Sequence, residues 1–209
     1  LGQLGDGSST NTTQPGLVNL ATIGLNAVTV SSGDSHSCAI LVDGQVACWG
    51  RNNVGQLGDG SFLDKSNPVI AQLPSSKNAV MIEAGISHTC AIMDDGSMYC
   101  WGLNANGQLN NGSGSAYSSP VQSQLPTGTS AVIVATGESH TCVLLNDSSL
   151  HCIGGNTEGQ LGDSTLVSKT SLTPSSWNQN SSVSELSYTL GYASKRSAIV
   201  AGWGQMTYS

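Results

Sequence analysis

Short apolar runs alternate along the chain with polar, glycine-rich stretches. In residues 28–50 an alternating apolar run is followed by two further runs, 38–41 and 45–49. These two runs flank residues 42–44, and Gly44 suits the left-handed position of a three-residue hairpin loop. The pattern therefore predicts a β-hairpin. Because no stretch keeps a helical period, we expect an all-β protein.

The same pattern returns at a nearly constant interval. The Gly-Gln-Leu triplet begins at Gly2, Gly55, Gly107 and Gly159, so successive copies are 53, 52 and 52 residues apart. Each copy also contains a short apolar segment after its polar loop, such as 68–70, which we interpret as an outer strand that starts with proline. Four short strands per copy are the content of one β-propeller blade. We predict a β-propeller or propeller segment over residues 1–209, with copies at about 1–27 (partial), 28–79, 80–131, 132–184 and 185–209 (degenerate and partial).

The cysteines form three pairs with the same ten-residue offset. Residue numbers of facing residues in an antiparallel hairpin add to a constant, and Cys38 and Cys48 are centred on Asp43 at the predicted loop tip. The later pairs are centred in the same way on Asp95 and Asp147. Each cysteine should therefore face its partner at a distance that a disulfide can bridge. The predicted disulfides are Cys38–Cys48, Cys90–Cys100 and Cys142–Cys152.

Zinc binding is the alternative for these cysteines, because each copy also contains a histidine, as in His36, Cys38 and Cys48. Zinc takes ligands of this kind. A closed structural site needs four ligands, however, whereas each copy supplies three and the chain has no Cys-x-x-Cys pair. We therefore favour disulfides and expect no metal and no other cofactor.

The composition narrows the classes of partner. The chain carries six Lys and Arg against 13 Asp and Glu, a formal charge of −7, and only 9% of its residues are charged. The few basic residues are scattered, which argues against a nucleic-acid partner. The apolar runs are too short to cross a bilayer, so membrane insertion is not expected. The chain opens inside a copy of the repeat without an initiator Met, and we expect a mature product or a fragment of a longer polypeptide.

The motifs resemble those of the regulator of chromosome condensation repeat family. The shared pattern is Val-x-x-Gly-x-x-His-(Ser/Thr), then Asp-Gly-x-(Val/Met), then Trp-Gly-x-Asn-x-x-Gly-Gln-Leu-Gly, and it matches at residues 28–70, 80–121 and 132–162. The copy at 186–205 matches poorly and lacks the cysteines. The resemblance implies a ring of usually seven blades. Either blades lie outside this chain, or four blades close alone, or another chain completes the ring.

Two branches of this family fit the residues poorly. The nucleotide-exchange branch acts in the nucleus, where paired cysteines would stay reduced. The plant ultraviolet-receptor branch uses a Gly-Trp-Arg-His-Thr signature that this sequence lacks. Paired cysteines instead favour an oxidising, extracellular or cell-surface location.

The recurring aromatic and histidine residues have structural interpretations. His36, His88 and His140 have no acid at a fixed offset, so we interpret them as hydrogen-bonded turn residues. The tryptophans of the Trp-Gly motif should pack between blades; they are Trp49, Trp101 and Trp203. No nucleophile, base and acid recur together, and we do not expect an enzyme.

Four Asn-x-Ser/Thr sequences are candidate N-glycosylation sites, and all fall in predicted loops or hairpin tips. The asparagines are Asn11, Asn111, Asn146 and Asn180. Their positions, the disulfides and the low charge suggest a structural, adhesive or protein-interaction module of a larger secreted or surface assembly. One alternative is a soluble secreted propeller that binds one protein, as β-lactamase-inhibiting relatives do. Another is a carbohydrate-binding propeller that uses exposed aromatics, with Trp177 and Tyr117 as candidates.

Overall fold

The computed structural model describes residues 2–14 and 16–176. In this part of the chain the regular structure consists of twelve β-strands and one 3-10 turn, Leu20–Thr22. The strands are β1 (Ala27–Ser32), β2 (His36–Leu41), β3 (Val46–Gly50), β4 (Lys65–Ile70), β5 (Ala79–Ala84), β6 (His88–Met93), β7 (Met98–Gly102), β8 (Tyr117–Gln122), β9 (Ala131–Thr136), β10 (His140–Leu145), β11 (Leu150–Gly154) and β12 (Lys169–Pro174).

These strands form three antiparallel four-stranded sheets, each in simple chain order: β1 to β4, β5 to β8 and β9 to β12. We refer to them as blades 1, 2 and 3. The expectation of an all-β propeller fold with four strands per blade is confirmed. Among the described residues no helix has the length and apolar character needed to cross a membrane. The copy predicted at 185–209 and Trp203 lie outside the described residues.

The central hairpin of each blade has the register that the cysteine spacing predicts. Cys38 lies opposite Cys48 in the β2–β3 pair, and the loop between the strands closes with Gly44 at φ +80°. Ser148 takes the corresponding position in blade 3 with φ +69°, a conformation that is unusual for a residue other than glycine. The hairpin geometry is therefore set by the strand pairing even where the glycine is missing.

All three predicted disulfides are present in the structure. Cys38–Cys48, Cys90–Cys100 and Cys142–Cys152 each join facing residues whose Cα atoms are 4.1 Å apart. The six side chains are at most 1% exposed. No thiol of the six cysteines remains free.

The outer strand is longer than the sequence predicts. In blade 1 it begins at Lys65 rather than at Pro68. The register between β3 and β4 is irregular where Cys48 faces Val69 and Gly50 faces Lys65, and Pro68 lies within this irregular part. A proline is tolerated there because a bulged edge strand does not need every backbone donor.

Two of the three hydrophobic clusters in the described residues lie between neighbouring blades, and the third lies within blade 3. One core joins Cys38, Ile40 and Val46 of blade 1 to residues of blade 2 that include Met93 and Trp101. A second core joins blade 2 to blade 3 in the same manner. The facing sides of neighbouring sheets are therefore buried against each other, as in the stacked blades of a propeller. The strands at the inner edge of the blades are β1, β5 and β9, and they contact one another in sequence.

Candidate interaction face

The long loop before the outer strand emerges on the same side of the structure in all three blades. It is the β3–β4 loop in blade 1, the β7–β8 loop in blade 2 and the β11–β12 loop in blade 3. His36, at the start of β2, pairs with Gly50, at the end of β3, so the β1–β2 turn and the β3–β4 loop share one end of each sheet. We call this side the loop face; it consists of the loops 51–64, 103–116 and 155–168 and of the β1–β2, β5–β6 and β9–β10 turns. The tips of the β2–β3, β6–β7 and β10–β11 hairpins lie at the opposite end of the sheets.

A buried asparagine braces each of these loops from inside. Asn52 is fully buried, and its Nδ2 donates to Asp59 Oδ1 at 3.0 Å and to the carbonyl oxygens of Ser61 and Leu63 at 3.0 and 3.1 Å. Its Oδ1 accepts from Leu57 N at 2.9 Å. One side chain therefore fixes both ends of the loop.

The brace is repeated in the other two blades. Asn104 Nδ2 donates to Asn111 Oδ1 at 3.1 Å and to the Ser113 carbonyl at 2.6 Å. Asn156 Nδ2 donates to Asp163 Oδ1 at 3.1 Å and to the Val167 carbonyl at 3.2 Å. Because a buried polar side chain with all these bonds has a single arrangement, the three loops have a common, well-defined scaffold.

The outer part of the scaffold is charged in blades 1 and 3 and neutral in blade 2. Asp59 and Asp163 each lie 3.4 Å from a lysine of the following strand, Lys65 and Lys169 respectively. Burial opposes ionisation of Asp59, but hydrogen bonds from Ser61 and Asn52 together with Lys65 outweigh it and lower the pKa of its carboxyl group. The corresponding residues of blade 2 are Asn111 and Tyr117.

Two of the braced loops expose a pair of consecutive apolar side chains at the same position of the repeat. Phe62 and Leu63 in blade 1 are 52% and 68% exposed, and Leu166 and Val167 in blade 3 are 67% and 64% exposed. Blade 2 has Gly114 and Ser115 at these positions, although Ile86 in its β5–β6 turn is exposed. The loop face thus displays apolar side chains whose backbone is held by the Asn52 and Asn156 braces. We call these two pairs the apolar pairs.

The blades are joined beneath this face by a buried hydrogen-bond chain. Thr89 Oγ1 donates to the Gln56 carbonyl at 2.8 Å, which also accepts from Trp101 Nε1 at 2.9 Å. Since the single hydroxyl proton of Thr89 is used in this bond, its oxygen accepts from His36 Nε2 at 2.8 Å. The bond fixes His36 as the tautomer that carries its proton on Nε2.

The same arrangement joins blade 2 to blade 3, where His88 Nε2 lies 2.9 Å from Thr141 Oγ1. Burial lowers the pKa of His36 to about 4 and that of His88 to about 3. His36 and His88 are therefore neutral residues that link adjacent blades. The prediction that these residues are hydrogen-bonded is confirmed for His36 and His88, and each of the three histidines is the first residue of the strand that follows the turn.

The remaining predicted site residues are placed in different environments. Asn11 and Asn146 are exposed, and Asn146 lies at a hairpin tip where its Oδ1 accepts from Ser130 N at 3.0 Å. Tyr117 is half-buried and packs against the core between blades 2 and 3, so it is less exposed than the sequence predicts. Trp177 and Asn180 lie outside the described residues.

The loop braces and the apolar pairs were not predicted from the sequence. The signal for the braces was available, because Asn52, Asn104 and Asn156 recur in the phase of the Gly-Gln-Leu motif. The apolar pairs gave no periodic signal, since they interrupt a polar loop instead of following a strand pattern. Within residues 2–14 and 16–176 no three His, Cys, Asp or Glu side chains are grouped so that they could hold a metal ion.

Comparison with known proteins identifies the repeat. The regulator of chromosome condensation (RCC1) repeat matches residues 43–92 and 95–144, and a second version of the same repeat matches 27–56, 81–108 and 131–160. The Arabidopsis thaliana protein named "Ultraviolet-B receptor UVR8" is 34% identical over 165 residues, which are 79% of this chain and 37% of the relative. Human "Probable E3 ubiquitin-protein ligase HERC6" is 34% identical over 152 residues, which are 69% of this chain and 15% of the relative.

Solved structures show the same fold. Yeast RCC1 (Prp20), in its complex with Kap60, has a TM-score of 0.69 at 21% identity, over 83% of this chain and 43% of that protein. Human WBSCR16 has a TM-score of 0.62 at 24% identity, over 71% of this chain and 39% of that protein. The chain therefore spans less than half the length of these relatives. The repeat matches, the blade geometry and the curated relatives agree that the chain belongs to the regulator of chromosome condensation (RCC1) repeat family.

Proposed function

We propose that this chain is a non-enzymatic protein-interaction module that works outside the cell, as a structural or adhesive component of a larger secreted or surface assembly. The observation that carries the proposal is the display of the apolar pairs on braced loops of one face. A protein-binding role also agrees with the yeast relative, whose structure was solved bound to Kap60.

The energetics of the loop face support binding to a protein surface. Complete burial of a Leu, Val or Phe side chain contributes about 1.5–3 kcal/mol, and the four side chains of the apolar pairs are each more than half exposed before binding. Because Asn52 and Asn156 already fix the loop backbone, little ordering entropy remains to be lost on association. Large apolar side chains on a rigid support are typical of residues that dominate protein interfaces.

The proposed extracellular location rests on the disulfides. Three buried disulfides in one chain of this size are characteristic of proteins that mature in an oxidising compartment. The exposed asparagines at Asn11 and Asn146 agree with glycan attachment there. Mass spectrometry of the unreduced protein, purified from its source, should find no free cysteine thiol and should find glycan mass on these two asparagines; six free thiols would overturn the extracellular assignment.

The interaction test uses the apolar pairs and a matched control. The double variants Phe62→Ser/Leu63→Ser and Leu166→Ser/Val167→Ser remove the apolar surface from the loop face. Val42→Ser is the control, because Val42 is 58% exposed but lies at a hairpin tip on the opposite side. Proteins of the source surface fraction are cross-linked to the full chain, identified, and their Kd values measured with each variant.

Loss of one pair should raise the Kd of the identified partner at least tenfold, which corresponds to about 1.4 kcal/mol, whereas Val42→Ser should leave it unchanged. Equal Kd values for all three variants would refute the role of the loop face. Sedimentation of the native protein separates the two protein-binding hypotheses, since an assembly component sediments as a large polymer and an inhibitor-like propeller as a monomer with one tight partner.

Carbohydrate binding is the second candidate, favoured by a groove of about 550 Å³ that lies between the β6–β7 hairpin tip and the β8–β9 connection. Hydroxyl and amide side chains, among them Ser97, Gln122 and Thr129, line this groove. Its lining contains neither Tyr117 nor any other aromatic residue, so it lacks the ring on which a sugar would stack. Binding to a glycan array that Gln122→Ala abolishes would favour this function over protein binding.

A further inference from the structure

We propose that Asn111 is a site of spontaneous deamidation, and that the fold directs this reaction to Asn111 and away from the other Asn-Gly pair of the chain, Asn106-Gly107. In this reaction the backbone nitrogen of Gly112 attacks Cγ of Asn111, ammonia leaves and a cyclic succinimide forms. Water then opens the ring at either carbonyl carbon and gives aspartate or isoaspartate. The net change is one water consumed and one ammonia released.

The atom that attacks Asn111, the backbone nitrogen of Gly112, is accessible. Among the described residues Gly112 N donates no backbone hydrogen bond, whereas the equivalent Gly60 of blade 1 donates to the Ser118 carbonyl at 2.8 Å. Gly112 is exposed, and the nearest atom to a Cβ built on it is the Gln124 side-chain nitrogen, at 3.5 Å. The backbone therefore has room to rotate towards Cγ, and water can reach the succinimide.

The electrophile is polarised by two donors. Asn104 Nδ2 and Ser113 N each donate to Asn111 Oδ1 at 3.1 Å. Negative charge develops on this oxygen when Gly112 N attacks Cγ, and two fixed N–H donors stabilise such charge. The brace that orders the loop of blade 2 therefore also activates the amide.

Asn106-Gly107 is the same dipeptide, but its attacking nitrogen is hydrogen-bonded and buried. Gly107 N donates to the Asn104 carbonyl at 2.9 Å, and Gly107 is buried. A Cβ at Gly107 would lie 3.1 Å from Thr170 Cα of blade 3, so the turn is packed against the neighbouring blade. Attack by this nitrogen requires the turn to open first, and the two Asn-Gly pairs form a matched comparison within one loop.

The product fits the blade, because blades 1 and 3 already hold aspartate at this position. Asp59 and Asp163 accept from Asn52 and Asn156 as Asn111 accepts from Asn104. Deamidation would therefore complete the repeat pattern and place a negative charge on the loop face of the blade between the two apolar pairs. A glycan on Asn111 Nδ2 would block the reaction, so the two modifications exclude each other at this residue.

The experiment incubates the full, oxidised chain at mildly alkaline pH and follows both asparagines by peptide mapping with separation of Asp and isoAsp products. In the folded chain Asn111 should deamidate at least roughly tenfold faster than Asn106, equivalent to about 1.4 kcal/mol in barrier. In the reduced chain unfolded in urea, the two rates should become equal to within about a factor of two, less than about 0.5 kcal/mol.

Equal rates in the folded chain, or faster reaction at Asn106, would overturn the proposal. Glycan mass on Asn111 in protein purified from its source would overturn it for the natural molecule. The variant Asn111→Asp provides a product standard, and its melting temperature should match that of the wild type if the carboxylate takes the place of the amide. A rate ratio that persists in the unfolded chain would assign the difference to local sequence and also refute the structural argument.

Discussion

Replacement of Asn52 by alanine tests whether a single buried side chain determines the loop on which the apolar pair of blade 1 is displayed. Asn52 is fully buried and donates to Asp59, Ser61 and Leu63 while it accepts from Leu57 N. Truncation removes the acceptor of Leu57 N and the two N–H donors that Asp59, Ser61 and Leu63 share. The cost is dominated by Leu57 N, which lies in the interior and would lose its only side-chain acceptor among the described residues.

The magnitude follows from these bonds. An unsatisfied buried donor costs about 1–3 kcal/mol, and a typical hydrogen bond contributes about 1 kcal/mol net. The acceptors Ser61 and Leu63 lie at the surface, where water replaces most of what they lose, so we expect Asn52→Ala to destabilise the protein by about 3–4 kcal/mol. This is large for a polar truncation, since most single substitutions cost about 0.5–3 kcal/mol.

The assay is urea unfolding of the oxidised chain, with Asn53→Ala as the matched control. Asn53 is adjacent and exposed, so its truncation should change the unfolding free energy by less than about 0.5 kcal/mol. Limited proteolysis should also cut loop 51–64 faster in Asn52→Ala than in the wild type. A loss below about 1 kcal/mol, or equal effects at the two asparagines, would show that the loop does not depend on the brace.

Two further predictions concern the interior. The pKa values of His36 and His88 are lowered by burial to about 4 and about 3, so the unfolded chain binds more protons below the ordinary histidine pKa of 6.5. Stability should therefore fall by several kcal/mol as the pH drops from 6.5 to about 4. Urea midpoints measured across this range should depend less steeply on pH in His88→Gln than in the wild type. An unchanged pH dependence in this variant would contradict the assignment of His88 as a buried, neutral residue. Removal of the buried Cys90–Cys100 disulfide by Cys90→Ala/Cys100→Ala should lower the free energy of unfolding by ~2.8 kcal/mol for its 10-residue separation. In the wild type, reductant and a thiol-alkylating reagent should modify this pair in urea but not in the native state. Equal alkylation in both states would show that the fold does not protect the disulfide.

The fold was predictable because its determinants recur in the sequence. The hairpin register followed from the cysteine spacing alone, since each Cys pair fixes which residues face each other across β2–β3. The blade count within the described residues followed from the period. The length of β4 was not predictable to the residue, because Pro68 marks an irregularity inside the strand rather than its start, and a bulge leaves no periodic signal.

The contacts between blades were less predictable because they join residues that are distant in sequence. The role of His36 is defined by Thr89, 53 residues later, and no local pattern links the two. The partial burial of Tyr117 was not predictable for a related reason. It occupies the position of Lys65 and Lys169 in the repeat, but its ring packs against the core between blades 2 and 3. An aromatic residue in a polar segment can be inward-facing, and only the packing distinguishes the two cases.

The distribution of constant and variable positions over the three blades separates the scaffold from the surface. The constant positions are the buried asparagine, the leucine whose N–H it accepts from, and the histidine that in blades 1 and 2 reaches the next blade; all of them are buried. The positions of Phe62 and Leu63 are held only through their backbone, since it is the Leu63 carbonyl that Asn52 contacts. Their side chains can therefore change from blade to blade at almost no cost in stability. A face built in this way can acquire a new partner without any change in the fold, which is why the identity of these exposed residues, rather than the repeat itself, should determine what the protein binds.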